Sequence, residues 1–227
     1  MARNIGMEIE KLRDQLVYLG TTVKENLQRA VWALTEKDPE LARQVIRTDK
    51  DEIDSIETSL EEECLRILAL HQPVAGDLRC IITVLKINAD LERIGDLAAK
   101  IADKVVLLHD MDPARFRSEE MRVPEMFQIM YEKTIWMFVN TMEAFISADT
   151  DLAYKVCLAD DEVDQAKRLI STQLENIIMR DPGQHVFLAK LISVARSLER
   201  IADHCTNICE DIIYMEQGRI VRHHVVK

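Results

Sequence analysis

Glycine and proline are scarce in this chain, six and five in 227 residues, and aromatic side chains make up only 5% of it. With Leu, Ile, Ala, Glu, Met and Arg filling the remainder, intrinsic propensity favours helix. The expected fold class is all-α. A surplus of Lys and Arg is also missing: the formal charge is −11. Duplex binding draws on such a surplus to neutralise phosphates, so nucleic acid is not an expected partner. No apolar run approaches the ~20 residues needed to span a bilayer, and the start MARNIGMEIE has no signal-peptide core. A cytoplasmic protein is expected, peripheral to a membrane only through partners. The five cysteines, Cys64, Cys80, Cys157, Cys205 and Cys209, are odd in number and lack Cys-x-x-Cys spacing. Neither a disulfide framework nor a thiolate zinc site is indicated.

What is present is a repeat. Leu85 to Leu108, LKINADLERIGDLAAKIADKVVLL, returns 107 positions later as ISVARSLERIADHCTNICEDIIYM. In the first copy Ile87, Leu91, Ile94, Ala98, Ile101, Val105 and Leu108 step by four and three, a heptad seam on one helix face. Val194, Leu198, Ile201, Cys205, Ile208, Ile212 and Met215 repeat it. Beside the seam run acids: Glu92, Asp96 and Asp103 in one copy, Glu199, Asp203 and Glu210 in the other.

Like charges four residues apart on a helix repel by roughly 0.2–0.5 kcal/mol, and a bound cation would relieve this. The competing reading is a solvated face, since Arg93, Lys100 and Arg200 lie nearby. The two copies differ at Gly95 against Ala202, Leu97 against His204 and Lys100 against Asn207, yet both keep acid at the same three turns. That favours a metal site. Carboxylates without Cys or convergent His suit Mg, Mn, Ca or Fe better than structural Zn, and Asn207, sharing a face with Asp203, adds a neutral oxygen. His204 projects about 100° from Asp203 on a helix and reads as a packing residue.

Prolines cut the chain into six expected helices: about Ile5 to Glu36, Pro39 to Leu70, Gly76 to Leu108, Pro124 to Ala148, Asp151 to Met179 and His185 to Met215. Asp38-Pro39-Glu40 supplies a cap, a first-turn proline and a first-turn acid; Asp149-Thr150-Asp151 repeats this helix start. Residues 109–123 have no sustained period and read as a linker between 1–110 and 124–217, and the short basic tail reads as loose. Asp51-Glu52-Ile53-Asp54 matches Asp161-Glu162-Val163-Asp164. Each half is therefore one unit of a tandem repeat of two antiparallel three-helix bundles, six long helices of about 45 Å each, related by a pseudo-twofold axis.

None of the six histidines has Glu three residues before it, as ferritin-like di-iron bundles require, and no Gly-rich phosphate loop, Ser-centred elbow or His-Glu-x-x-His occurs. Nothing requires an enzyme. The alternative is a carboxylate-bridged metal enzyme of unknown substrate.

Leu91-Glu92-Arg93-Ile94-Gly95-Asp96 and Leu198-Glu199-Arg200-Ile201-Ala202-Asp203, each on the third helix of its half, resemble the signature of the PhoU family of bacterial phosphate-signalling regulators, and the likeness covers both halves. The resemblance implies a non-catalytic adaptor between the ATPase subunit of a phosphate ABC transporter and a sensor histidine kinase, restraining the phosphate-starvation response. It also implies multinuclear metal binding, including iron and zinc, and a homodimer. By position, Glu92 and Asp96 would serve one site and Glu199 and Asp203 the other, with Asp103, Asn207 and Glu210 secondary. An acid opening the second helix of each repeat would be Asp49 or Asp51 in the first half, where one residue is inserted near Lys50, and Asp160 with Asp164 in the second. Lys100, facing Asn207 in the repeat, would replace part of the metal charge at the first site, so the second is expected to be better occupied.

Overall fold

A computed structural model describes residues 2–118, 121–180 and 182–219. The helices are α1 (Ala2–Thr35), α2 (Pro39–Thr48), α3 (Asp54–His71), α4 (Ala75–Met111), α5 (Pro113–Phe116), α6 (Glu125–Ser147), α7 (Thr150–Arg180) and α8 (His185–Gln217), and no strand occurs among the described residues. The all-α tandem repeat stands. The basic tail at 220–227 lies outside the described residues.

Local chemistry sets the helix starts. The Asp38 carboxylate accepts from the backbone N–H groups of Glu40 and Leu41, both at 3.0 Å, with Pro39 behind it. In the second half the Asp149 carboxylate accepts from Leu152 N–H at 2.9 Å. Each such cap satisfies donors the helix cannot, and is worth about 1 kcal/mol. The aperiodic stretch at 109–123 holds more order than its sequence suggests. It carries α4 through Met111, and Asp112 then caps the single turn of α5, whose Phe116 is buried.

Packing follows the seams. All fourteen seam residues of α4 and α8 are buried, as are Leu12, Leu16, Leu19, Val23, Leu27, Ala30 and Leu34 of α1. α4 packs on α1, α2 and α3, α8 on α6 and α7, and α4 and α8 on each other. Their partners fall in number on α8 as they rise on α4: Arg79 reaches Met215 O at 3.5 Å, Lys86 pairs with Asp211 at 2.6 Å, and Asp90 Oδ1 lies 2.7 Å from His204 Nδ1. The two inner helices are thus antiparallel, and each presents its acidic edge to the second helix of its own half.

That second helix differs between the halves. The sequence pattern predicts one helix from Pro39 to about Leu70, but Asp49–Ile53 forms a π turn in which Asp54 N–H bonds Asp49 O, five residues back. A π turn absorbs one inserted residue without rotating the helix on either side, so Ala42 and Val45 before it and Leu60, Cys64 and Ile67 after it all stay buried. α7 runs unbroken from Thr150 to Arg180.

Candidate metal centres

The π turn settles which acid opens the second helix of the first half. Asp51 is exposed, whereas Asp49 is turned inward and only 5% exposed. Its Oδ1 has no hydrogen-bond partner, and an unpaired buried oxygen of this kind is costly unless protonated or given a counter-charge. Burial, then the nearby carboxylates of Asp96, Asp54 and Glu92, push the Asp49 carboxyl up to about 7, with Lys100 pulling the other way. Glu92 is raised as well, first by burial.

Gly95 makes the approach possible. A Cβ on that residue would stand 2.8 Å from Asp49 Oδ1 and 3.2 Å from Ile53 side-chain atoms, so an alanine would force the Asp49 carboxylate and the Ile53 side chain to shift. The Gly95 against Ala202 difference, which reads from sequence as drift, follows the extra residue across the helix interface.

In the second half Asp160, on unbroken α7, takes the matching role. Burial, then Asp203, Asp164, Asp161 and Glu199, push its carboxyl up to about 7. Asp203 is raised in turn by burial, Glu199 and Asp164, against the lowering effect of His204 and Arg200. Asp49 stands five residues before Asp54 across its π turn, and Asp160 four before Asp164 in an α-helix. The result is the same cluster reached by two backbone routes.

Of the sequence-predicted residues, Glu92 and Asp96 join the first cluster, and Asp160, Asp164, Glu199 and Asp203 form the second. Asp103 lies outside the first, half exposed and paired with Lys104 at 2.8 Å. Asn207 and Glu210 line the groove between α4 and α8, with Lys86, Asp90 and Arg93. His204 is a packing residue whose imidazole meets Asp90 across the two halves.

Sequence reasoning passed over Asp54 and Lys167. Asp54 was legible as the repeat partner of Asp164. Lys167 was hidden because its repeat partner, Glu57, carries the opposite charge. Lys100 on α4 contacts Asp96 at 3.2 Å, and Lys167 on α7 contacts Glu199 at 3.2 Å. One ammonium thus leans on each cluster, from α4 in the first half and from α7 in the second, and the lysine that ranked the sites has a counterpart.

The donor set is one a hard cation takes: carboxylate oxygens, buried at Asp49, partly exposed at Glu92, Asp96, Asp160, Asp164 and Glu199 and exposed at Asp54 and Asp203, that act on one another's acidity. Arg93 touches Glu92 at 3.4 Å and Arg168 touches Asp164 at 3.1 Å, but neither Asp49 nor Asp160 has a basic partner among the described residues. Among those residues no three His, Cys, Asp or Glu side chains stand closed around a common point at ligand distance. One acid of each cluster, Asp96 and Glu199, is held by a lysine instead. The residues suit a cation in kind, on facing helices, without being gathered at ligand distance among the described residues.

The comparisons bear on the same two regions. The family model described as the PhoU domain matches residues 16–105 and 127–212. The chain is 37% identical over 98% of its length to the phosphate-specific transport system accessory protein PhoU homologue of Pseudomonas aeruginosa, covering 89% of that protein. To the homologue of Aquifex aeolicus it is 38% identical, covering 97% of this chain and 96% of the relative. The crystal structure of PhoU from P. aeruginosa superposes with a TM-score of 0.87 at 36% identity, over 94% of this chain and 99% of that one. The phosphate transport system regulatory protein PhoU from Streptococcus pneumoniae gives 0.86 at 29% identity, over 96% and 99%. Two family matches that take in both acidic seams, with relatives alignable along nearly the whole chain, place this chain in the PhoU family.

Proposed function

We propose that this chain is a cytoplasmic, metal-binding regulator of phosphate transport and signalling, an adaptor between the ATPase subunit of a phosphate ABC transporter and a sensor histidine kinase that restrains the starvation response when phosphate is plentiful. The observation that supports the metal half of this reading is the duplicated placement of an aspartate, Asp49 buried and Asp160 half-buried, against acids of α4 and α8, each carboxyl pushed to about 7. The adaptor half rests on relatives that are named accessory proteins of phosphate transport, and on the absence of any helix among the described residues long and apolar enough to cross a membrane.

In this reading Asp49, Asp54, Glu92 and Asp96 hold one ion group and Asp160, Asp164, Glu199 and Asp203 the other. The metal is Mg, Mn, Fe or Zn, and its role is to supply positive charge between helices that otherwise repel. A cation there would take the carboxylates of Asp49 and Asp160 in their ionised form and would compete with Lys100 and Lys167 for Asp96 and Glu199. The protein works as a homodimer and catalyses nothing itself. The test is direct binding of the purified ATPase subunit and of the kinase's cytoplasmic part to the chain, with and without metal. Saturable binding of both is the expected result, and failure of both to bind the metal-loaded chain would end the adaptor reading.

A further inference from the structure

Both tryptophans of the chain are on the outside: Trp32, late in α1, is 65% exposed and Trp136, midway along α6, is 45% exposed. Indole rings carry a large apolar area, and contiguous exposed patches of that kind mark interaction sites. Trp32 walls a groove of about 620 Å³ with Val31, Leu41 and Tyr131. Trp136 walls a second, of about 400 Å³, with Ile129 and Ala159. Gln128 and Tyr131 of α6 face the first groove while Ile129, Lys133 and Trp136 face the second, so the two grooves flank one helix. Val139 and Ile146, both exposed, extend the apolar surface along α6. Neither α1 nor α6 contributes an acid to the carboxylate clusters.

Charge decides what covers this face. Glu25 and Glu36 line the Trp32 groove, and Glu132 and Glu162 the Trp136 groove. α6 itself carries Glu125, Glu132 and Glu143 against the single Lys133, and that lysine is tied to Glu162. Arg29 also lines the Trp32 groove, its guanidinium donating to Gln44 Oε1 at 2.7 Å, so each groove carries two acids against one base. A second copy docked through this face would bring the same glutamates against it, and an anionic lipid surface would be repelled. A basic amphipathic helix meets both requirements: apolar residues at i, i+3 or i+4 and i+7 fill a groove, while Lys and Arg pair with the glutamates and stack on the indole faces.

We infer that the α1–α6 face is a docking surface for a basic amphipathic helix of a partner protein, anchored by Trp32 and Trp136. The inference rests on the adaptor reading and adds to it the face used and the chemistry it accepts.

The test is fluorescence anisotropy of a labelled Leu/Lys amphipathic peptide of about 18 residues, five helical turns, titrated with the full chain. Saturable, salt-sensitive binding is expected. It should weaken by about tenfold or more in Trp32→Ala/Trp136→Ala and in Glu25→Lys/Glu132→Lys, and should be unaffected by Met7→Ala/Leu70→Ala, exposed apolar residues near the start of α1 and the end of α3 that line neither groove. Because the substituted side chains are all exposed, circular dichroism should show every variant folded. Equal peptide binding by the wild type and the tryptophan variant would overturn the proposal. So would self-association in sedimentation, or binding to phosphatidylglycerol vesicles, that is lost in the same variant, since the occupant would then be a second copy or a membrane. Failure of the ATPase subunit and the kinase to bind the wild-type chain would remove the adaptor reading while leaving the peptide titration to decide this face.

Discussion

The two halves solve one problem with different backbones. In the second, α7 is a continuous helix and Asp160 and Asp164 are four residues apart on it. In the first, an extra residue is taken up by the π turn at Asp49–Ile53, and Gly95 opens α4 to receive it. The flanking cations differ too: Lys100 sits on α4, Lys167 on α7. What the halves hold in common is the meeting of an aspartate of raised pKa with a glutamate and an aspartate beside the seam, while its burial, helix continuity, the small residue and the helix bearing the lysine all vary. The difference teaches that the placement of the acids, not the local sequence, is the quantity held constant.

The sharpest way to break this comparison is by deletion. Removing Lys50 takes out the residue that the π turn absorbs, so Asp49 comes to stand four before Asp54 in a regular helix. The variant should keep its stability to within about 1 kcal/mol. Removing Asp161 from unbroken α7 rotates everything before it by about 100°, exposing Ala153 and Val156, and should cost more than about 3 kcal/mol. Urea unfolding of the two variants measures both.

Next in size is ion binding. With one lysine on each cluster, Glu92→Ala/Asp96→Ala and Glu199→Ala/Asp203→Ala should each lose affinity by roughly a hundredfold, as removal of ligands requires. Bound metal measured on protein purified without chelator checks this. A large difference between the two would restore the ranking that Lys100 alone suggests.

Acidity separates the clusters from the rest of the surface. Asp49 and Asp160 have folded pKa values of about 7 against 3.8 in the free side chain, so between those values the folded chain holds protons that the unfolded chain has lost. Their favourable contribution is complete below about pH 4 and is lost as pH rises through about 7. In chelator, stability should therefore fall from pH 5 to pH 8. Asp49→Asn and Asp160→Asn should each recover about 1–3 kcal/mol at pH 8 and flatten the profile, read by urea unfolding at the two pH values.

The smallest effect concerns Gly95. Gly95→Ala gains helix propensity but meets Asp49 and Ile53, and overpacking should leave it about 1 kcal/mol less stable with ion binding impaired in the first half. Ala202→Gly should lose a similar amount by propensity alone and keep its ion. Thermal unfolding together with metal content distinguishes the two.

Much of this was legible in the sequence because periodicity and duplication report packing directly. The fourteen seam residues and the α1 stripe were readable from spacing, and the helix starts from Asp38-Pro39 and Asp149. The choice between Asp49 and Asp51 was not, because a π turn leaves no compositional mark: the insertion near Lys50 showed that one residue was extra without showing which acid turned inward. Lys167 was missed because comparing α4 with α8 tracks a charge along one helix, and here the charge crossed to its neighbour. Asn207 and Glu210 share the stripe of Asp203 on paper. In space the antiparallel crossing of α4 and α8 gives them to the central groove, a contact between halves that a repeat within one chain cannot reveal.

That crossing has a consequence of its own. α4, at 37 residues about 55 Å long, and α8 are two stiff rods bearing on each other along their flanks, each forming one wall of an acidic cluster. Any displacement of one rod against the other that accompanies ion uptake in one half changes the geometry of its twin. Linkage then requires the influence to be mutual, by the same factor in both directions.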